Sequence, residues 1–242
     1  MDLRLEDFAN TVLNSTDAAT AWTVTTRFFD GFGFEGSVYG QRRLGVTPKA
    51  DDIRFSARIQ GWQAAYLAHK DYERDPLFIY APQMPSIFFT GASFLDDYPY
   101  LGPEDVAVIH RARSFGLQSG IALKMTGGET GIVRGWNLVS GLGRADIQAL
   151  HEQHGGLLHI CAALADQKIA AVEPPGEARL TERERECLVW LAQGLRTDQI
   201  ADRMSIRPVT VDMHMRNART RLGGRTREQA LAIAIRANLL PL

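Results

Sequence analysis

Apolar positions along this chain follow two periods. In LEDFANTVLNS and DAATAWTVTTRFFDGFG, residues 5–15 and 17–33, they fall three or four apart. That is the spacing of a helix with one buried face, and Gly31 and Gly33 end the second segment. FEGSVYGQ and IRFSARI, starting at Phe34 and Ile53, read instead as strands. Trp62 to Tyr72 returns to helical spacing, as does EDVAVIHRARSFG, with Gly116 placed as its C-cap. SGIALKM and GIVRGWNLVS alternate on either side of TGGET, which predicts a hairpin turn at 126–130. From Ala145 to about Ala170 one long helix carries Ile147, Leu150, Leu157, Leu158, Cys161 and Leu164. Helices, strands and helices again predict an α/β/α sandwich around a central antiparallel sheet.

Pro174-Pro175-Gly176 breaks the pattern, and a linker is expected over residues 170–178. It separates a first domain, 1–169, from a second, 179–242. The second reads as all helical. Thr181 and Glu184 form a capping box that opens a helix running to Gln193, and Gly194 stops it. Thr197 is expected to cap TDQIADRM. Pro208 suits the first position of a helix over 208–222, which Gly223-Gly224 ends. Thr226 and Gln229 suggest another capping box, opening a helix towards Leu240. Four short helices predict a compact helix-turn-helix domain, so the whole chain is of the α+β class.

Charge sharpens this division. The chain as a whole carries a formal -1, but residues 178–242 hold 12 Arg, no Lys and 7 acids, a formal +5. The rest holds 15 basic and 21 acidic residues, a formal -6. A basic module on an acidic body points to double-stranded DNA as partner. Within 208–222, Val211, Met215, Ala218 and Leu222 form the seam to be buried, while Val209, Asp212, Met213, Arg216, Asn217 and Thr220 face away. An inserted helix needs base-reading side chains outward and cations near the phosphates. Arg216 is the candidate for a forked contact to guanine, and Val209 and Met213 for thymine methyls. Arg219, Arg221, Arg225 and Arg227 are candidates for phosphate.

Other chemistry is thin. Two cysteines, Cys161 and Cys187, sit in apolar helical patterns and read as buried thiols. His151, His154 and His159 share one predicted helix without the carboxylate or thiolate that a metal site needs. No nucleophile elbow, P-loop or dinucleotide glycine pattern appears, so neither catalysis nor a cofactor is expected. There is no run of about 18 apolar residues and no signal-peptide start, so the chain is expected in the cytoplasm, off the membrane.

LTERERECLVWLAQGLRTDQIADRMSIRPVTVDMHMRNARTRLGGRTREQA resembles the DNA-binding domain of LuxR-type regulators over nearly all of residues 179–235. Leu180, Thr181, Arg183, Glu184, Gly194, Thr210, Val211, His214 and Asn217 match together. The resemblance implies that Thr210, Asp212, Met213, His214, Arg216 and Asn217 face DNA. Arg207, which stands where the family usually has a Ser cap, is a further candidate for DNA contact. The last helix, with Ala230, Ile233, Ala234 and Leu239, is either a dimer contact, as in the family, or core.

GWQAAYLAHKDYERDP resembles the ligand motif of autoinducer-binding domains, W-x3-Y-x8-DP, through Trp62, Tyr66, Asp75 and Pro76. FGLQSG, residues 115–120, resembles the segment opening the second half of that domain's sheet. The implied ligand is an acyl-homoserine lactone. Trp62 would hold its lactone carbonyl, Asp75 its amide N–H, and Tyr66 would flank the acyl chain. An indole N–H only donates and a carboxylate only accepts, which suits those partners. Arg58 stands where the family often has Tyr, Phe89 where it has Trp, and Asn137 where it tends to have Ser or Thr. The expected ligand is therefore an unusual lactone, aryl or branched. The expected protein is a ligand-responsive homodimer on a roughly palindromic operator. The alternatives are a non-lactone signal, or a ligand-independent dimeric DNA-binding protein.

Overall fold

The computed structural model describes residues 3–43, 48–125, 132–172, 180–222, 224–236 and 239–240 of the 242. They fall into two compact units, one built from most of the residues up to 172 and one from those after 180. Most of the expected linker, the TGGET turn and Gly223 lie outside the described residues.

In the first unit α1 (Leu3–Leu13) and α2 (Ala18–Asp30) precede β1 (Gly36–Arg43) and β2 (Ile53–Phe55). Next come α3 (Gln60–Ala68), α4 (Pro76–Tyr80), β3 (Ile87–Thr90) and α5 (Pro103–Ser114). The hairpin β4 (Ser119–Met125) and β5 (Ile132–Ser140) leads to α6 (Arg144–Val172). The sheet order is β2-β1-β5-β4-β3. β1 pairs antiparallel with β2, β3 with β4, and β4 with β5 from Ser119 opposite Ser140 to Met125 opposite Arg134.

Alternation along the strands sends side chains to two separate cores. Ile121, Leu123, Trp136 and Leu138 meet Phe29, Phe34, Ile147 and Leu158 under α1, α2 and α6. Val38 and Val139 meet Trp62, Tyr66, Val108 and Leu117 under α3 and α5. The architecture is the α/β/α sandwich that the periodicity predicted. Cys161, Ala162 and Ala165 are fully buried on α6 and small enough to let that helix lie close to the sheet. Asp166 ties it down: its carboxylate accepts from Arg134 Nε and from the Tyr39 hydroxyl, each at 2.8 Å.

Two segments depart from the pattern. IRFSARI is a strand only to Phe55, and Ala57–Ile59 is a 3-10 turn. Ser56 Oγ accepts from Ser37 N–H, and the chain then folds over Gly36, where a Cβ would stand 2.7 Å from Ile59 Cγ2. The predicted helix from Trp62 to Tyr72 ends at Ala68, because Lys70 is left-handed (φ 55). β3 was not foreseen as a strand.

The second unit contains α7 (Glu182–Ala192), α8 (Thr197–Met204), α9 (Pro208–Leu222) and α10 (Arg227–Arg236). The Thr181–Glu184 capping box is closed in both directions. Gly194 takes φ 83 after α7, the left-handed stop that glycine adopts without a steric penalty. Thr197 is not a cap. Arg196 holds that position, its N–H donating to Gln199 Oε1, and Thr197 Oγ1 instead accepts from Arg227 Nη2 at 3.0 Å. Thr226 Oγ1 accepts from Gln229 N–H, but Gln229 reaches back to Arg225 N–H, one residue before the capping-box position. Ala230, Ile233 and Ala234 are buried in the unit's own core, while Ile235 on the same helix is 46% exposed.

Replacing Asp166 by Ala removes the carboxylate that Arg134 and Tyr39 bond beneath α6. Removing one partner of a buried pair costs about 3 kcal/mol. Urea unfolding of the first unit should show a loss of that order, with the α7–α10 transition unchanged.

Candidate ligand pocket and nucleic-acid interface

Asp75 begins α4. Its Oδ1 accepts from Leu77 N–H at 2.9 Å as the helix N-cap, and Pro76 fills the first helical position. Its Oδ2 accepts from the Tyr66 hydroxyl at 2.7 Å. Tyr66 is held by Phe55 and Trp62, whose rings meet it edge-on at 5.2 and 5.6 Å. A carboxylate has about four acceptor positions, and these bonds use two. Asp75 also borders a cavity between the sheet and the α3–α5 layer, so its remaining capacity faces open space.

That cavity has two lobes that meet at Trp62, Asp75, Phe88 and Asn137. One lobe runs towards Tyr80, Tyr98 and Tyr100, whose rings interlock at 5.0 and 6.1 Å, and is closed by Val108 and Ile109 of α5. The other runs across Gly40, Ala122 and Gly135. Trp62 is 5% exposed, and its indole N–H is buried with no acceptor among the described residues. Leaving such a donor unmade costs about 1–3 kcal/mol, so it calls for a partner. Thr90 Oγ1 donates to Asn137 Oδ1 at 2.9 Å, which leaves the Asn137 amide protons for the cavity. Gly120 permits that bond, since a Cβ there would stand 2.6 Å from Thr90 Oγ1 and 2.9 Å from Asn137 Oδ1. Gly116 supplies the φ of 84 that ends α5. The two glycines of FGLQSG therefore each have a structural task.

Trp62, Asp75 and Asn137 are thus brought together. Three other expected ligand residues are placed differently. Tyr66 is 1% exposed and stands behind the wall, orienting Asp75 rather than flanking an acyl chain. Arg58 sits on the 3-10 turn, its side chain 53% exposed, 4.0 Å from Asp30 and 3.9 Å from Glu35, and does not line the cavity. Phe89 touches the cavity edge, but its ring stacks on Phe94 at 4.8 Å and meets His151 at 5.3 Å on the opposite sheet face. Register explains this: Phe88 and Thr90 pair with Ala122 and Gly120, and Phe89 with Ile121 of the other core. The aromatic on the pocket face is Phe88. The alternation of IFFT was the signal that could have found it. His151 and His154 pack edge-on against Phe89 and Phe32, at 5.3 and 5.0 Å.

On α9 the expected seam is buried, with Val211, Met215, Ala218 and Leu222 at 3% exposure or less. Val209 and Met213 are 69% and 46% exposed, unusual for large apolar side chains. Asp212, Arg216 and Asn217 are exposed beside them, Thr210 and His214 are half-buried, and Arg207 is exposed. In place of a Ser cap, the Arg207 carbonyl accepts from Thr210 and Val211 N–H. Of the arginines expected at phosphate, Arg221 and Arg227 are engaged within the unit: Arg221 Nε lies 3.2 Å from the buried Glu184 Oε2, and Arg227 binds Thr197.

A sheet-backed pocket with inward polar groups, followed by a helical module with an exposed basic helix, defines a ligand-binding regulator of DNA. The comparisons agree. The family "Autoinducer binding domain" matches residues 17–169, and "Bacterial regulatory proteins, luxR family" matches 178–234. The chain belongs to the LuxR-type transcription regulators with an autoinducer-binding domain. It is 27% identical over 212 residues to the transcriptional activator protein SolR of Ralstonia nicotianae, covering 86% of each chain. Its fold is shared by Escherichia coli SdiA, with 17% identity, a TM-score of 0.59 and 98% of both chains covered. It is shared too by CepR2 of Burkholderia cenocepacia, an N-acylhomoserine lactone dependent factor, with 20% identity, a TM-score of 0.53, and 69% and 96% covered.

Burial pushes the Asp75 carboxyl up to about 6, against the opposing pull of the Tyr66 and Leu77 hydrogen bonds. The folded unit therefore holds this proton more tightly than the unfolded chain does. Its contribution to stability is full below about pH 4 and lost as pH rises through 6, about 3 kcal/mol in all. Asp75→Asn should remove that slope. Urea unfolding at pH 5 and pH 7 should show wild type losing stability across this interval and the variant holding level.

Proposed function

We propose that the cavity receives an acyl-homoserine lactone with an aryl or branched acyl group. Occupancy then governs a homodimer that binds a roughly palindromic operator. The observation that carries this is the donor and acceptor pattern at the waist of the pocket. Trp62 N–H and the Asn137 amide offer donors in the same lining as the Asp75 acceptor. A lactone carbonyl, amide N–H and amide carbonyl form the complementary series. Asn137 supplies the donor that the family's Tyr would give from the position of Arg58. Phe78 and Phe88 give the lobe that runs across Gly40 and Gly135 aromatic walls that favour a flat or branched acyl group over a long flexible one.

Ligand in this pocket binds the folded unit and not the unfolded chain, so it stabilises the fold by mass action. Two copies joined in a dimer present two recognition helices, and the second contact gains from effective concentration.

Thermal unfolding of the purified protein against a panel of straight, branched and aryl homoserine lactones tests the reading, and no shift with any member would sink it. Trp62→Phe keeps the ring and removes the donor, and should weaken the best ligand about tenfold or more. An amide N–H favours the ionised carboxylate, so affinity should rise between pH 5 and pH 7, and this dependence should vanish in Asp75→Asn.

For DNA, Arg216→Ala should cost about 1–3 kcal/mol on a selected operator and relax preference at one base pair. Arg207→Ala should weaken all sequences alike and lower the salt slope by about one. Anisotropy titrations at several salt concentrations distinguish the two.

A further inference from the structure

The lobe away from the tyrosines has a bare floor. Gly40 of β1, Ala122 of β4 and Gly135 of β5 present almost no side chain to it. The Phe78 ring lies against Gly40, so close that a Cβ there would stand 2.1 Å from Cζ. Lys124 stands at this floor, two residues along β4 from Ala122 on the same face and opposite Gly135 in register. It is half-buried, and its ammonium donates to the Met84 carbonyl. No acid among the described residues pairs with it. An ammonium has three donors, so Lys124 keeps capacity towards the lobe.

A second cation stands on β1, which β5 separates from β4 in the sheet. Arg42 follows Gly40 by two residues and points to the same sheet face. Its Nε is buried with no acceptor among the described residues. Asp52 and Asp75 are the acids whose charges reach it. Asp75 belongs to the waist of the pocket and is already bonded to Tyr66 and Leu77. A lobe with an apolar floor and an unpaired ammonium is poorly matched to a plain hydrocarbon chain, which would bury the charge without compensation.

We propose that the acyl group of the ligand carries an oxygen acceptor at its far end, a hydroxyl or a carboxylate, which Lys124 binds while Arg42 adds positive potential. This deepens the lactone reading and rests on it. Trp62 and Asp75 fix the head of the ligand, and Lys124 selects its tail. A charge-assisted hydrogen bond is about twice as strong as a neutral one, enough for discrimination of about tenfold.

Calorimetric titration of the full chain with two matched pairs tests this. The pairs are phenylpropanoyl-homoserine lactone against its para-hydroxy analogue, and hexanoyl-homoserine lactone against its omega-carboxy analogue. The expected result is tighter binding of the oxygen-bearing member of at least one pair, by about tenfold. Lys124→Met should erase that preference, tightening the unsubstituted member and weakening its oxygen-bearing partner, while Lys124→Arg should retain it. Equal binding within both pairs by wild type overturns the proposal and leaves the lactone reading intact. So does a preference that persists in Lys124→Met. Binding by no member of either pair overturns both. The wild-type comparison decides the matter by itself if the Met variant fails to fold.

Discussion

A carboxylate taken out of water needs hydrogen-bond donors, or it costs several kcal/mol. Asp75 is placed where that demand does the most organising. Leu77 N–H answers it from α4, a helix of five residues, too short to persist without a cap and packing. The Tyr66 hydroxyl answers from α3, and Tyr66 is in turn locked between Phe55 and Trp62. One side chain thus joins two helices and the aromatic cluster, and its unused acceptor capacity lies at the cavity. Capping, packing and recognition draw on the same two oxygen atoms, and the two donors offset burial only in part, so the group keeps a raised proton affinity.

The opposite face of the sheet makes such an arrangement tolerable. There the strands are covered by α1, α2 and α6, with Trp136 stacked on Trp22 at 5.3 Å and tilted against Tyr39 at 4.9 Å. The Arg134–Asp166–Tyr39 network pins α6 to β5 and β1. A site is held to working geometry by what lies behind it. In this unit the support is a filled core, while the working face is kept open by Gly40, Gly120 and Gly135. The second unit uses the same economy: Glu184 closes a capping box and also pairs with Arg221, while Val209, Met213 and Arg216 on the outward face of α9 stay exposed.

Much of this was legible in the sequence wherever the determining contacts are local. The seam of α9 follows from period alone, since Val211, Met215, Ala218 and Leu222 face one way on any helix. The Thr181–Glu184 box, the stop at Gly194 and the Trp62–Asp75 spacing are likewise short-range. What stayed hidden depends on distant partners. Arg58 was expected on a strand, but the chain folds over Gly36, and nothing near Arg58 announces that approach. Phe89 and Phe88 exchange roles because only the pairing with β4 fixes which face each residue takes. Thr90 reaches Asn137 across 47 positions. Thr197 gave up its capping role to bind an arginine two helices later. The burial of Ala230, Ile233 and Ala234 on α10 likewise depends on residues of other helices.

The alternation of β3 carries one more implication. Phe88 and Thr90 look into the cavity, while Ile87 and Phe89 look into the core, so successive codons serve separate purposes. Selection for a new signal can therefore rewrite one set of letters while the other goes on specifying the fold. A substitution on the pocket side alters what the protein hears. The loss of a single residue in the strand would exchange the two sets and ruin both. The strand that best allows the receptor to diverge by replacement is thus the one least able to survive a change in length.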